Sequence, residues 1–354
     1  MRVRQDAGGP GRPALTCPLA CMDNPRRPAT VPGANVGADM KKLLCLVSLL
    51  AGLAAQAAPA PAPQEKEQVL WDHLRATVAE VEQHLDGVLG VAILDLRTGQ
   101  QWLLRGDEVF PQASSIKIAL LAELYHQAEE SAHGAAGLAT LADRYVVRAE
   151  DLVPDSDIMS GLTAGVTTLT NRDLATMVVA VSDNSATNVL IDRVGMANVD
   201  QLMGGLGLGH THLRRKMMDL QAAAEGRENV STPREMMTLL ERLHAGKVVG
   251  SPLREDFFRV LETHKDSWLP RRLPEGLVIA NKPGALEGVR NDSGIVFLKN
   301  RPYVICVMTT YLKSEPAGEA AISAISTAAF EMFDRLDRAS EYGRVISPSN
   351  GASR

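Results

Sequence analysis

In Phe110-Pro111-Gln112-Ala113-Ser114-Ser115-Ile116-Lys117-Ile118-Ala119-Leu120-Leu121, Ser114 stands where a helix should begin, with Lys117 three residues on and an apolar run behind it. At that spacing both side chains share one helical face. A helix N-terminus favours developing negative charge on a serine oxygen, and a nearby lysine with a lowered pKa can remove its proton. Taken alone, the stretch reads more simply as a serine cap followed by a surface lysine. A Ser-x-x-Lys match arises on the order of once by chance in a chain of this length at average residue usage.

Working outward, helical patterns dominate from about Ser114 to Ala245. Upstream, Val69, Leu70, Leu74, Val78, Val81 and Leu85 have helical spacing, and two apolar segments, 88–95 and 101–104, joined by Arg97-Thr98-Gly99, predict an antiparallel hairpin. Downstream, Leu277–Asn281, Gly294–Leu298 and Tyr303–Thr309 predict short strands, and Ala317–Leu336 a closing helix. This order predicts an α/β (α+β) architecture. An antiparallel sheet with flanking terminal helices is made from both chain ends (66–112 and 247–340), and an all-helical subdomain (113–246) is inserted between them. A site between the two parts is expected.

Two further elements raise the weight of Ser114. Ser182-Asp183-Asn184 lies between helical segments, where a hydroxyl and an amide can relay a proton and hold a substrate amide; its plain alternative is a helix cap with an Asx-type turn. Asn281-Lys282-Pro283-Gly284-Ala285 ends a predicted strand. Lys282 there can attract a substrate carboxylate, and a backbone N–H beyond Gly284 can serve an oxyanion; Pro-Gly also reads as an ordinary turn.

Ser-x-x-Lys, Ser-Asp-Asn and Lys-Thr-Gly, in that order, are the signature set of class A β-lactamases and penicillin-binding proteins. The chain resembles that family over about residues 66–340, with the third motif present as Lys-Pro-Gly. Asp151-Leu152-Val153-Pro154 and Ser231-Thr232-Pro233 are also similar to class A segments. The resemblance implies Ser114 as nucleophile, Lys117 as its partner and Ser182 and Asn184 as a second wall. It implies Lys282 as the carboxylate anchor, and the N–H groups of Ser114 and Ala285, beside Gly284, as the oxyanion hole.

One departure is chemical. Class A enzymes carry a Glu-x-x-Leu-Asn segment on an Ω-shaped loop, whose Glu activates the deacylating water. The corresponding stretch here is His212-Leu213-Arg214-Arg215-Lys216-Met217-Met218-Asp219-Leu220-Gln221, and anchoring on Leu220 puts Met217 in the Glu position and Gln221 in the Asn position. Asp219 is the nearest carboxylate and the candidate to replace that Glu in deacylation if the loop is shortened, though its arm is shorter, with Glu225 and Glu228 as fallbacks. Glu225 and Glu228 read rather as partners for Arg214, Arg215 or Arg227 that hold the loop together. The hydroxyl of Lys-Thr-Gly is lost at Pro283, which weakens the grip expected on a substrate carboxylate.

The bulk properties remove other classes. At 45% hydrophobic and 22% charged residues the chain is globular, and a net charge of −5 with scattered basic residues excludes an electrostatic footprint for nucleic acid. Residues 1–39 read as an upstream extension without apolar periodicity. Residues 40–57 read as a signal peptide, with Lys41 and Lys42, the apolar run Leu43–Ala54 and the cleavage site Ala55-Gln56-Ala57. Residues 58–65 read as a Pro/Ala linker and 341–354 as a tail. Of the cysteines only Cys306 survives such cleavage, in an apolar strand-like run where a buried inert thiol is expected. Gly204–Gly209 follows a helix and reads as a helix stop; His210-Thr211-His212 lacks companions at zinc spacing. The expectation is an exported hydrolase, periplasmic or secreted and monomeric. It needs no cofactor or metal, binds no nucleic acid and keeps no membrane span after cleavage. Its substrate is a small-molecule β-lactam or a peptidoglycan-type amide. The alternatives are a DD-peptidase or esterase that releases β-lactams slowly, and a sensing module that is acylated once.

Overall fold

A computed structural model describes residues 65–346. The expected extension, signal peptide, nearly all of the linker, the end of the tail and Cys17, Cys21 and Cys45 lie outside the described residues.

The first helix, α1 (Glu65–His84), buries Trp71, Leu74 and Val78. The apolar periodicity predicts Val69 on that face, yet Val69 is exposed and Trp71 is fully buried. A 20-residue helix has room for one apolar position off its stripe, and the large indole claims the packing site against Phe333, edge-on at 5.6 Å. β1 (Val88–Asp95) and β2 (Gln101–Leu104) form the expected hairpin. Asp95 closes its turn by accepting the amides of Arg97 and Thr98.

Next come β3 (Phe110–Pro111), α2 (Lys117–Ala132), β4 (Arg144–Val146), β5 (Thr168–Thr170), α3 (Asn171–Ala180), α4 (Asn184–Val194), α5 (Met196–Gly205), α6 (Leu220–Ala224), β6 (Val230–Ser231), α7 (Pro233–His244) and α8 (Leu253–Leu261). The inserted segment is helical, as expected. Its apolar periodicity does not reveal two small antiparallel ladders, β3 with β6 and β4 with β5, each too short to show a period of two. α5 stops in the glycine-rich run, where Gly207 has φ +69°.

β7 (Val278–Leu286), β8 (Val289–Phe297), β9 (Tyr303–Thr310) and α9 (Glu315–Arg338) complete the chain. One antiparallel sheet runs β2-β1-β9-β8-β7. Alternation along each strand sends Ala92, Ala280, Ile295, Cys306 and Met308 into a core shared with the helical subdomain. Val91, Ile279, Val296, Ile305 and Val307 go into a second core under α1 and α9. β7 is thus an edge strand with one face toward the helices, and Lys282 lies on it.

Candidate active site

A 3-10 turn, Ala113–Ile116, joins β3 to α2. Ala113 enters it at φ +48°, a left-handed conformation that costs a residue with a Cβ about 1–3 kcal/mol and persists only where neighbours enforce it. They do so here: Gln112 N donates to Asn229 O at 2.8 Å, and Ser115 N to Gln112 O at 2.9 Å. Ser115 Oγ is turned inward and donates to Lys282 O at 3.3 Å. Ser115 is fully buried and Ser114 half-buried, so Ser114 carries the accessible hydroxyl of the pair. Gly284 lies against this turn. A Cβ there would stand 2.6 Å from Gln112 O and 2.7 Å from both Ser115 N and Ser115 Oγ. Glycine therefore lets the β7 backbone close on the serine turn, as an oxyanion donor from β7 requires.

The second wall is the corner between α3 and α4. Ser182 has φ +58°. Asp183 caps α4, accepting Ala186 N at 2.9 Å, and its other oxygen accepts Ile158 N at 3.2 Å and Met159 N at 2.8 Å. The aspartate of Ser-Asp-Asn is thus a structural clamp, and it fixes the serine and asparagine on either side. Lys117 Nζ donates to Ser182 O at 2.6 Å, to Ser182 Oγ at 3.0 Å and to Asn184 Oδ1 at 3.0 Å. Lys282 Nζ donates to Ser182 Oγ at 3.1 Å and to Pro283 O at 2.9 Å. Side chains from all three motifs meet on a single hydroxyl.

Both lysines are buried. Burial pushes Lys117 well below the ordinary lysine range, and the Lys282 ammonium pushes it further, against the pull of Asp183. Lys282 is lowered by burial to about 7, with Asp292 opposing the shift and Lys265 adding to it. As a neutral amine, Lys117 has two N–H bonds for the oxygens Ser182 O and Asn184 Oδ1 and one lone pair for a hydroxyl proton. That is the state a base requires.

Pro283 and Gly284 do not make the turn that the dipeptide suggests. They continue β7 opposite Asp292 and Asn291, and the turn falls at Glu287 and Gly288. Pro283 is tolerated because β7 is an edge strand with a neighbour on one side only.

The loop after α5 is tied down by side chains that sequence reasoning did not single out. Asn188 Oδ1 accepts Met217 N at 2.8 Å, and Asn188 Nδ2 donates to Met217 O at 3.1 Å. Asn188 lies one turn beyond Asn184 on the same face of α4, so the i, i+4 spacing was the available signal. Asn229 Oδ1 accepts the amides of Arg214 and Arg215. Arg215 pairs with Glu228 at 2.9 Å and Arg227 with Glu225, the partnership anticipated for those glutamates. Met217 is buried and packs into the core. Asp219 is exposed and caps α6, with Oδ1 accepting Ala222 N at 2.9 Å.

Among the described residues no cluster of three His, Cys, Asp or Glu side chains could hold a metal ion, and no helix is long and apolar enough to cross a membrane. Cys306 is buried on the helical face of the sheet, and burial pushes its thiol up to about 12.

A family model described as "Beta-lactamase enzyme family" matches residues 73–333. The carbapenem-hydrolyzing beta-lactamase KPC of Klebsiella oxytoca is 30% identical over 298 residues, covering 82% of this chain and 94% of its own. A crystal structure of a beta-lactamase from Sphaerobacter thermophilus is 32% identical with a TM-score of 0.66, covering 74% of this chain and 97% of that one. A mutant of PBP-A, solved as an acyl-enzyme complex with penicillin G, is 25% identical with a TM-score of 0.67, covering 75% and 98%.

Proposed function

The chain belongs to the beta-lactamase enzyme family of serine hydrolases, and from that premise we propose that it is an exported enzyme whose Ser114 is acylated by β-lactam amides and released slowly. The observation that carries this reading is the convergence of Lys117 and Lys282 on Ser182 Oγ, at 3.0 and 3.1 Å. Neutral Lys117 takes the proton of Ser114 as its oxygen attacks the lactam carbonyl. Ser114 N and Ala285 N hold the oxyanion. The proton passes from Lys117 to Ser182, whose hydroxyl protonates the leaving nitrogen as the C–N bond breaks. Asn184 holds the substrate's side-chain amide, and Lys282 and the strand past Gly284 hold its carboxylate side.

Release needs a second base. Met217 occupies the stretch of loop held against α4, and a thioether accepts no proton at neutral pH. Asp219, two residues on in the loop, is already engaged as a helix cap. Loss of a positioned base lowers the step it serves by about 10²–10⁴-fold, so the acyl-enzyme accumulates. The same deficit favours a second reading, a DD-peptidase or esterase whose natural acyl group leaves by another route. Intact-mass measurement over time, with a penicillin and with a chromogenic ester, separates the two. A penicilloyl adduct that forms on wild type, is absent from folded Ser114→Ala and persists supports the proposal. Fast penicillin turnover without an adduct, or an adduct on the Ser114→Ala protein, contradicts it.

A further inference from the structure

Directly behind Lys282, on the opposite face of the sheet, lies a second set of buried polar groups. Ala280 faces the helical subdomain and Ile279 faces α1 and α9, so alternation puts Lys282 on the first face and Asn281 on the second. Asn281 Nδ2 donates to Asp292 Oδ1 at 2.8 Å. The other oxygen of Asp292 accepts Trp268 N and Leu269 N, each at 3.0 Å. Three N–H donors face this fully buried side chain and favour its carboxylate form, opposing the rise in pKa that burial imposes. Lys265 Nζ donates to Asn281 Oδ1 at 3.3 Å and to Leu261 O, at the C-terminus of α8, at 2.7 Å. In the ladder Lys282 pairs with Ser293, and Asp292 is the next residue of β8. A cation, an amide and a carboxylate thus run in a chain behind the strand that bears Lys282.

We propose that Lys265 is a positioning residue, whose charge acts through Asn281 and Asp292 to set the proton state in which Lys282 meets the substrate. The proposal rests on Lys282 being the carboxylate anchor described above. A lone Asp292 behind the strand would hold Lys282 as an ammonium; Lys265 shares that carboxylate through the amide and adds a like charge. Of the charged groups that act on Lys282, Asp292 favours its ammonium form and Lys265 opposes it. Lys117, from α2, is neutral in its working state. Asp183, at the start of α4, is bound by three backbone amides. Glu262 and His264 line the same cavity of about 390 Å³ as Lys265, and the Glu262 carboxylate favours the charge of Lys265. That cavity gives Lys265 access to water, and the α8 C-terminus favours its charge. Burial lowers Lys265 to about 8 and Lys282 to about 7, so both titrate near neutral pH. A group at its midpoint responds most to one added charge.

The test needs a readout independent of turnover. The protein is labelled with ¹³C-lysine, the Lys282 Cε signal is assigned by its loss in Lys282→Arg, and its titration is followed in wild type, Lys265→Gln, Lys265→Met and Lys265→Arg. The midpoint should rise by about 0.5–1 pH unit in the Gln and Met proteins, the order expected for removing one like charge, and stay or fall in Arg. The alkaline limb of the penicillin acylation rate, read by intact mass, should shift with it. A midpoint unmoved in both Gln and Met, or moved equally in Arg and Met, overturns the proposal. A midpoint that moves while the acylation limb stays leaves the charge coupling standing and overturns the carboxylate-anchor reading instead.

Discussion

A single hydrogen atom on Gly284 decides how closely β7 approaches the serine turn. Its would-be Cβ meets backbone atoms Gln112 O and Ser115 N as well as Ser115 Oγ, all within 2.7 Å, and backbone cannot swing aside as a flexible side chain can. Gly284→Ala must therefore push β7 away from the turn. The expected outcome is a loss of about 10²-fold or more in penicillin acylation, in line with a misplaced oxyanion donor, and a stability loss of about 1–3 kcal/mol from overpacking. Stopped-flow acylation and denaturant unfolding on the same protein check both; acylation within about threefold of wild type would show that β7 supplies no donor. The sequence carries only part of this. Ser114, Lys117, Ser182, Asn184 and Lys282 are legible because each stands in a short motif whose order restricts chance. The left-handed backbone at Ala113 and Ser182 is not legible, because no glycine marks it. Tertiary contacts impose those conformations, and local propensity gives no sign of them.

At the scale of elements, strand boundaries are where the linear reading and the fold diverge. Lys-Pro-Gly suggests a strand end with a turn, because proline and glycine break ladders in most contexts. On an edge strand one side needs no partner, and β7 runs on to Leu286. The loop from His212 to Asn229 behaves the opposite way: its only helix is the five-residue α6, yet its backbone is fixed by Asn188, Asn229 and the Arg215–Glu228 pair. A fixed loop is a scaffold on which one side chain can be exchanged. Because Asn188 grips both N and O of Met217, Met217→Glu should place a carboxylate on that held backbone, at a stability cost for the apolar packing the thioether leaves. The penicilloyl adduct should then release at least about tenfold faster, the gain from supplying a general base, with acylation changed little. Asp219→Asn in the wild-type background should leave acylation intact and either change nothing or lengthen the adduct's lifetime. Quenched time points read by intact mass decide both. A folded Met217→Glu protein whose adduct lasts as long as that of wild type would mean that position 217 does not address the water.

Across the whole molecule, two buried lysines, Lys117 and Lys282, and the half-buried Lys265 have charged forms that burial opposes, and this should dictate how stability depends on pH. Lys282 and Lys265 fall from an ordinary 10.5 to about 7 and about 8, and Lys117 lies well below its ordinary value. Between pH 7 and about 10 the unfolded chain keeps protons on these amines that the native protein has shed. Stability rises with pH wherever the unfolded state binds more protons, so native stability should climb through this window. Two sets of groups oppose the climb at its upper end. Cys306 is raised from 9.0 to about 12, so that above pH 9 the unfolded chain loses a proton the native protein retains. Tyr125, Tyr145 and Tyr303 are likewise raised from 10.0 and act above pH 10. Three amines against one thiol leave the slope positive to about pH 10; with three phenols added the sign reverses. Thermal unfolding at constant ionic strength should show Tm higher at pH 9 than at pH 7 by on the order of 10 °C or more, given about 2–4 °C per kcal/mol for a domain of this size, and a decline beyond about pH 10. Lys265→Met should flatten the rise by removing one of the three contributors. A Tm that is level or falling from pH 7 to pH 9 would mean that the buried amines keep their protons in the native state, and Lys117 could then not act as a neutral base on Ser114.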